Sequence, residues 1–304
     1  MYAEIAEFNT GSYPMTNLGL FVGLVTLDLI YLADSAPTNN QKLVASDYTV
    51  AAGGPATNAA VTFSYLGNQA TLLAVVGSHP MTQLIRTDLA NYQIEIFDLD
   101  THKDTSPPVS SIIVTQETGE RAVISINAIK HQVSSVYIPP DIWQRIQLVL
   151  IDGHQMAISK IIAQTAKNQN IPVVIDGGSW KPGFEDILPF VDYAICSANF
   201  YPPNCHNREE VLNYLQKFSI SHIAITQGEK PIQYLSYGHC GYVEVPHIQP
   251  VDTLGAGDIF HGAFCHYILQ TNFPEALYQA SKIAAKSCQF FGTRKWMEND
   301  HNSG

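Results

Sequence analysis

Apolar residues along this chain come in short, continuous runs. Residues 20–25, 71–76, 148–151, 173–175, 193–196 and 223–226 are mainly aliphatic, and most of these runs end close to a Gly, Asp or Ser. Runs without apolar/polar alternation suit strands buried on both faces, as in a parallel sheet covered by helices. Between them lie segments of helical length at 56–66, 80–91, 158–168, 207–218 and 257–270, with a last one at 274–290. The alternation predicts one α/β domain over residues 1–304: a doubly wound, mostly parallel sheet with ligands gathered at the carboxyl ends of its strands.

Two segments break the rhythm. Residues 42–51 and 110–127 alternate more and are rich in Thr, Ser and Val, and the second contains Thr118-Gly119-Glu120, a hairpin turn signal. They read as a small β-sheet lid whose strands are inserted at about residues 40–52 and 106–127. Its edge invites pairing with a second copy of the chain, a homodimer through the lid. The segment 298–304 reads as a frayed tail.

Composition removes several classes of function. The chain has 304 residues, is 46% hydrophobic and 14% charged, and carries 16 Lys and Arg against 27 Asp and Glu, a net charge of -11. The apolar content is ample for a packed core, which excludes a disordered chain. No basic stripe is present, so no nucleic-acid partner is expected. Five cysteines (Cys196, Cys205, Cys240, Cys265 and Cys288) make an odd number without a CxxC pair, which favours a reducing, cytoplasmic setting over a disulfide framework. Residues 1–17 carry Glu4 and Glu7 and no basic start, unlike a signal peptide. The apolar run 18–33 is interrupted by Asp28 and is too short to cross a bilayer, so no membrane partner is expected. His261 and His266 stand five apart on a predicted helix and share no face, so no histidine metal cluster is expected.

The densest chemistry is Pro250-Val251-Asp252-Thr253-Leu254-Gly255-Ala256-Gly257-Asp258, leading into Ile259-Phe260-His261-Gly262. Gly255 and Gly257 allow a sharp turn into a helix whose first amides then point outward as an anion cradle. Asp258 sits beside that cradle. A carboxylate there would repel an anion, but it suits a general base that takes a proton from an attacking hydroxyl. The loop is not a P-loop, because no Lys-Ser/Thr follows the glycines, and it is not a GxGxxG turn either.

Residues 252–258 resemble the DTxGAGD signature of the ribokinase-like carbohydrate kinases, the phosphofructokinase-B family. A second segment, Gly53-Gly54-Pro55-Ala56-Thr57-Asn58-Ala59-Ala60, resembles that family's GG–N sugar-binding signature, and the likeness runs from about residue 20 to 292. The resemblance implies an ATP-dependent kinase that phosphorylates a hydroxymethyl group of a small ribose- or fructose-type sugar. A nucleoside kinase and a catalytically silent sugar-binding regulator are the alternatives. It implies that Asp258 is the catalytic base and that Gly255, Ala256 and Gly257 form the anion hole. Asp28, Gly53, Gly54, Asn58 and Arg121 would contact the sugar, Arg121 from the lid. Asn199, Thr226, Gly228 and Ser281 would contact the nucleotide. ATP, Mg2+ and, beside Asp252, K+ are the implied cofactors, although Asp252 reads equally well as a tie within its loop. One departure is visible: the family's N-x-x-E becomes Asn199-Phe200-Tyr201-Pro202, which removes an acidic side chain from the expected magnesium surroundings. Trp180, Phe200 and Tyr201 read as core packing near there.

Overall fold

The structure, a computed structural model, describes residues 17–126, 132–135 and 137–302. Asn127, the end of the second lid segment as read from the sequence, lies outside these residues, as do Glu4 and Glu7. All six apolar runs form strands of one sheet: β1 (Leu18–Val22), β4 (Gln69–Ala74), β8 (Ile146–Ile151), β9 (Val173–Gly177), β10 (Tyr193–Ser197) and β11 (His222–Gln227). They pair in parallel in the order β11-β10-β9-β8-β1-β4. Their side chains are buried on both faces, the reason their sequences do not alternate.

Three strands that the apolar pattern does not predict complete the nine-stranded sheet. β5 (Glu95–Asp98) adds a parallel edge beside β4, and β12 (Lys230–Ser236) and β13 (His239–Val243) form an antiparallel extension beyond β11. These are edge elements with mixed side chains and carry little continuous apolar signal.

The predicted helices are α1 (Pro55–Tyr65), α2 (Thr82–Asn91), α4 (Met156–Asn168), α6 (Arg208–Gln216), α7 (Ala256–Ile268) and α8 (Phe273–Ser287). Two single turns, α3 (Pro140–Trp143) and α5 (Phe184–Ile187), lie between them. One apolar core gathers α1, α7 and α8 on one face of the sheet, and a second gathers α4, α5 and α6 on the other. Trp180 and Phe200 join the second core: Trp180 meets Tyr214 and Phe200 edge-to-face and Phe184 at a tilt, and Phe200 meets Phe184 edge-to-face, while Tyr201 is exposed.

The lid is a separate four-stranded sheet of β2 (Thr26–Ala33), β3 (Asp47–Gly53), β6 (Val109–Thr115) and β7 (Arg121–Ser125), in the order β3-β2-β6-β7. β3, β6 and β7 fall in the two segments expected to form it. The apolar pattern does not predict β2: it places one strand at residues 20–25, whereas the structure has β1 and β2 on either side of Gly23–Val25. β1 ends at Val22, Gly23–Val25 leave the sheet, and the chain re-enters regular structure in the lid at Thr26. Both strands are apolar, so the sequence shows no break between them. Ile30, Ile112 and Val114 of the lid pack on Phe291 and Leu254 of the main body. The expected frayed tail is corrected as far as Asn302: residues Lys295–Asn302 form a 3-10 helix, with Trp296 and Met297 buried against the core. Among the described residues, no helix is long and apolar enough to cross a membrane.

Candidate active site

The site is built where α1 crosses α7. A Cβ at Gly262 of α7 would lie 2.3 Å from the Ala59 carbonyl oxygen of α1, so glycine is what lets the two helices approach this closely. One turn earlier, the Asn58 amide Nδ2 donates a 2.8 Å hydrogen bond to Asp258 Oδ2. Two motifs 200 residues apart in sequence thus meet through their polar side chains.

Gly255 caps α7 in the left-handed region (φ 70°), with no side chain bonding to that helix end. A Cβ there would approach Thr293 Cγ2 to 2.9 Å. Helix geometry leaves the first amides of α7, those of Gly257 and Asp258, without intrahelical acceptors. Gly257 is exposed, and a Cβ placed on it would project into open space. This is an open cradle of N–H donors at the positive end of a helix. Burial pushes the Asp258 carboxyl up to about 7; the Asp176 carboxylate adds to the rise, while the Asn58 hydrogen bond and His261 oppose it. A carboxyl held near neutrality is matched to proton transfer.

Asp28 is the third residue of β2, within the lid rather than at the end of the first core strand. It is buried, its Oδ1 accepts a 2.7 Å hydrogen bond from the Thr26 hydroxyl, and burial raises its carboxyl above the ordinary range against hydrogen bonds from Thr26 and Ser110. Gly53 makes room for it, since a Cβ there would lie 1.9 Å from Asp28 Oδ2. Gly54, at φ 102°, turns β3 into α1, and a Cβ on it would meet the Leu24 carbonyl at 2.3 Å.

Asp152, at the end of β8, ties this corner together. Its carboxylate accepts hydrogen bonds from the amides of Leu24, Ala56 and His154. Burial pushes its carboxyl up, but His154, the Leu24 amide and Lys181 together hold it down at about 2. It places a negative charge at the N-terminus of α1, where the helix dipole favours one. The sequence alone does not single out Asp152. Its signal was an acid ending an apolar strand, a pattern shared by many loops.

The remaining expected residues divide. Arg121 Nη1 donates to Thr253 Oγ1 at 2.9 Å and to its carbonyl at 3.2 Å, so it bonds the lid to the loop before α7. Asp252 is buried, and its two oxygens accept the amides of Leu254 and Gly292, each at 2.8 Å; the geometry is that of a loop tie. Thr226, Gly228 and Ser281 line a 340 Å³ cavity that also touches Ala256 and Gly257. Asn199 is exposed on the loop after β10 and is not among the residues lining that cavity. Pro202 is buried.

The cavity walls are mostly Ile232, Val245, Pro246, Ile248, Phe260 and Ala284. Apart from the exposed Glu229, its polar side chains already bond to protein. Ser281 Oγ donates to the Tyr278 carbonyl, Thr226 Oγ1 to that of Cys196, and both His261 ring nitrogens face carbonyl oxygens. A mostly apolar cavity of this size, bordering the cradle at Ala256 and Gly257, can hold an aromatic group with its charged portion directed at α7.

Sequence reasoning missed Arg294 entirely. This buried residue donates from Nη1 to Asn58 Oδ1 (2.9 Å) and from Nη2 to the Ala52 carbonyl (2.6 Å). An Arg four residues before the expected tail carries no pattern that sets it apart from a surface charge.

Known proteins agree with this architecture. The model of the pfkB family of carbohydrate kinases matches residues 17–300. A ribokinase of Lactococcus lactis is 25% identical over 91% of this chain and 92% of its own length. A deoxyribokinase of Salmonella typhi is 24% identical over 88% of this chain and 93% of its own length. Among solved structures, the Arabidopsis thaliana ribokinase complexed with ribose and ATP superposes with a TM-score of 0.75 at 18% identity, covering 93% of this chain and 99% of that one. The Thermotoga maritima ribokinase gives 0.74 at 18% identity over 92% and 95%. With the cradle, the paired Asn58 and Asp258 and the lid in the ribokinase fold, this chain belongs to the pfkB family of carbohydrate kinases and is a sugar phosphotransferase.

Proposed function

We propose that the protein transfers the γ-phosphate of ATP to a hydroxymethyl group of a small, ribose- or fructose-type sugar. The observation that carries this reading is the Asn58–Asp258 hydrogen bond beside the uncapped start of α7. It joins a polyol-binding amide, a proton acceptor and an anion cradle in one place. Ribokinases and a deoxyribokinase among the relatives, and a neighbour solved with ribose and ATP, support the substrate class.

In this reading the sugar lies under the lid, its hydroxyls donating to Asp28 and exchanging hydrogen bonds with Asn58, close to the backbone of Gly53 and Gly54. The nucleotide base enters the 340 Å³ cavity beside Thr226, Gly228 and Ser281. The γ-phosphate meets the amides of Gly255, Ala256, Gly257 and Asp258. Asp258 removes the proton from the hydroxymethyl oxygen as that oxygen attacks phosphorus in line and ADP leaves. Positioning and charge stabilisation are most of what phosphoryl transfer asks of a protein. Arg121, bonded to Thr253, holds the lid against the α7 loop and keeps water out.

Among the described residues no three His, Cys, Asp or Glu side chains gather to hold a metal ion. Magnesium would be carried in on the ATP phosphates, where it would supply charge neutralisation. Each Asp252 oxygen accepts one amide, which ties the loop, and its remaining lone pairs could face a potassium ion. Exposed Tyr48, Val123 and Ile124 on the lid support a homodimer through that sheet.

The test is a coupled assay of ADP release across pentoses, hexoses and nucleosides, with and without K+. A sugar should be the preferred acceptor, and Asp258→Asn should lower kcat by about 10²–10⁴-fold. Near-wild-type turnover in that variant would sink the assignment of the base, and a preference for adenosine would move the protein to the nucleoside-kinase reading.

A further inference from the structure

Asn58 can serve a catalytic carboxylate only if its amide faces the right way, since its oxygen would repel Asp258. The side chain that decides this is Arg294. A guanidinium has five donors and no acceptor, so the group 2.9 Å from Nη1 must be the Asn58 oxygen, which leaves Nδ2 toward Asp258. The same guanidinium bonds Thr293 Oγ1 at 3.0 Å and the Ala52 carbonyl at 2.6 Å. Its Nη2 also lies 3.3 Å from Asp88 Oδ2, and the plane sits over the Tyr92 ring. Asp88 in turn accepts the Ala52 amide at 2.9 Å. Both polar groups of the Ala52 peptide are thus held, one by Asp88 and one by Arg294, directly before Gly53 and Gly54. That peptide is where the lid strand β3 turns into α1.

We propose that Arg294 is a positioning residue for phosphoryl transfer: with Asp88 it fixes the base of the lid and locks the Asn58 amide so that its N–H group, and not its oxygen, meets Asp258. The arrangement leaves Asp258 Oδ1 for the acceptor hydroxyl. Arg294 contacts neither reacting group itself; it acts through Asn58. The planar fork matters because one donor must reach Asn58 while another reaches Ala52, which an ammonium on a flexible stem does less well.

The proposal rests on the reading of Asp258 as the base, and its test separates the two. The groups facing Asp258 are Asp176 from β9, Asp152 from the end of β8, His261 from α7 and Asn58 from α1. Only the last is bonded to Arg294. In Arg294→Met the Asn58 amide is free to turn, and Asp258 loses its donor. A carboxylate without that donor holds its proton to higher pH. The Asp258 titration, followed by carboxyl-carbon NMR in the free enzyme and assigned by its absence in Asp258→Asn, should move up by about one pH unit. The acid limb of kcat/KM for the sugar should move with it, while KM for ATP changes less than about twofold. Arg294→Lys should shift both in the same direction by less. If Arg294→Met does not fold, Arg294→Lys and Asp88→Asn carry the test, with displacements of about half a unit expected. Titrations that superimpose on wild type in every folded variant would overturn the proposal and leave Arg294 a structural brace. A wild-type enzyme that phosphorylates no sugar would fail the functional reading, and the free-enzyme titration would still judge Arg294.

Discussion

The two halves of the site are built on opposite principles. On the acceptor side, Asp258, Asn58 and Arg294 form a hydrogen-bonded chain, and the carboxylates of Asp28 and Asp152 beside it each accept from nearby groups, while Arg294 Nε is buried without a partner. On the donor side, the cavity is walled by aliphatic and aromatic carbon, and its few hydroxyls and its imidazole are bonded away into the protein. The difference teaches where specificity resides. A site whose buried polar groups are left unpaired by the wrong ligand discriminates steeply, whereas an apolar slot discriminates only by fit. This chain should therefore be strict about its acceptor and lenient about its nucleotide base.

The sharpest way to break that comparison is Gly53→Ala. The added methyl would fall on the Asp28 carboxylate, so kcat/KM for the sugar should drop more than about 100-fold while nucleotide affinity measured by calorimetry stays within twofold. Loss of both together would mean that the halves are one unit. Next, Asp28→Asn would remove the charged acceptor proposed for the sugar hydroxyls, an expected loss of about 1.5–3 kcal/mol. KM for the sugar should rise roughly tenfold to a hundredfold, with kcat for ATP turnover affected less.

The pH dependence follows from Asp258. Its carboxyl is raised to about 7 in the folded protein, and a base works only when ionised. Hence kcat/KM should fall about tenfold per pH unit as pH drops below about 7, and level off above it. The linkage to stability has the opposite sign. The native state binds this proton more tightly than the unfolded chain, so the group favours folding at low pH, and that advantage is lost as pH rises from its ordinary value of 3.8 through about 7. Asp258→Asn should then melt above wild type at pH 8, with the gap narrowing toward pH 5, a trade of stability for function that differential scanning would read.

The smallest effect is expected on the donor side. GTP should support turnover within about tenfold of ATP, and Ser281→Ala should change KM for ATP less than about twofold, since its hydroxyl is bonded to Tyr278. A GTP penalty beyond a hundredfold would show that backbone groups around Val245 and Ile248 read the base edge.

How far the sequence carried this reading depends on the kind of signal. Residues 148–151 and 173–175 are buried on both sides of the sheet, so their unbroken apolar character named them as core strands. The lid hairpin was legible at Thr118-Gly119, where φ is positive and the turn needs glycine. β2 was not, because it follows β1 in one apolar stretch and only the tertiary path through Gly23–Val25 separates them. Asp258, Gly255 and Asn58 stood in dense local motifs. Asp152 and Arg294 stood in none, because their importance comes from what other segments bring to them.

The alternating α/β order, the presence of a lid, the glycine turn into α7 and the acid beside it are written in local runs of residues, since each is a local preference of backbone or burial. Only the tertiary structure decided that Asn58 faces Asp258, that Asp28 reaches the site from the lid, and that Arg294 orients the amide between them. Hydrogen bonds between residues about 200 positions apart exist only once helices pack, and the packing of α1 on α7 through Gly262 is what made these.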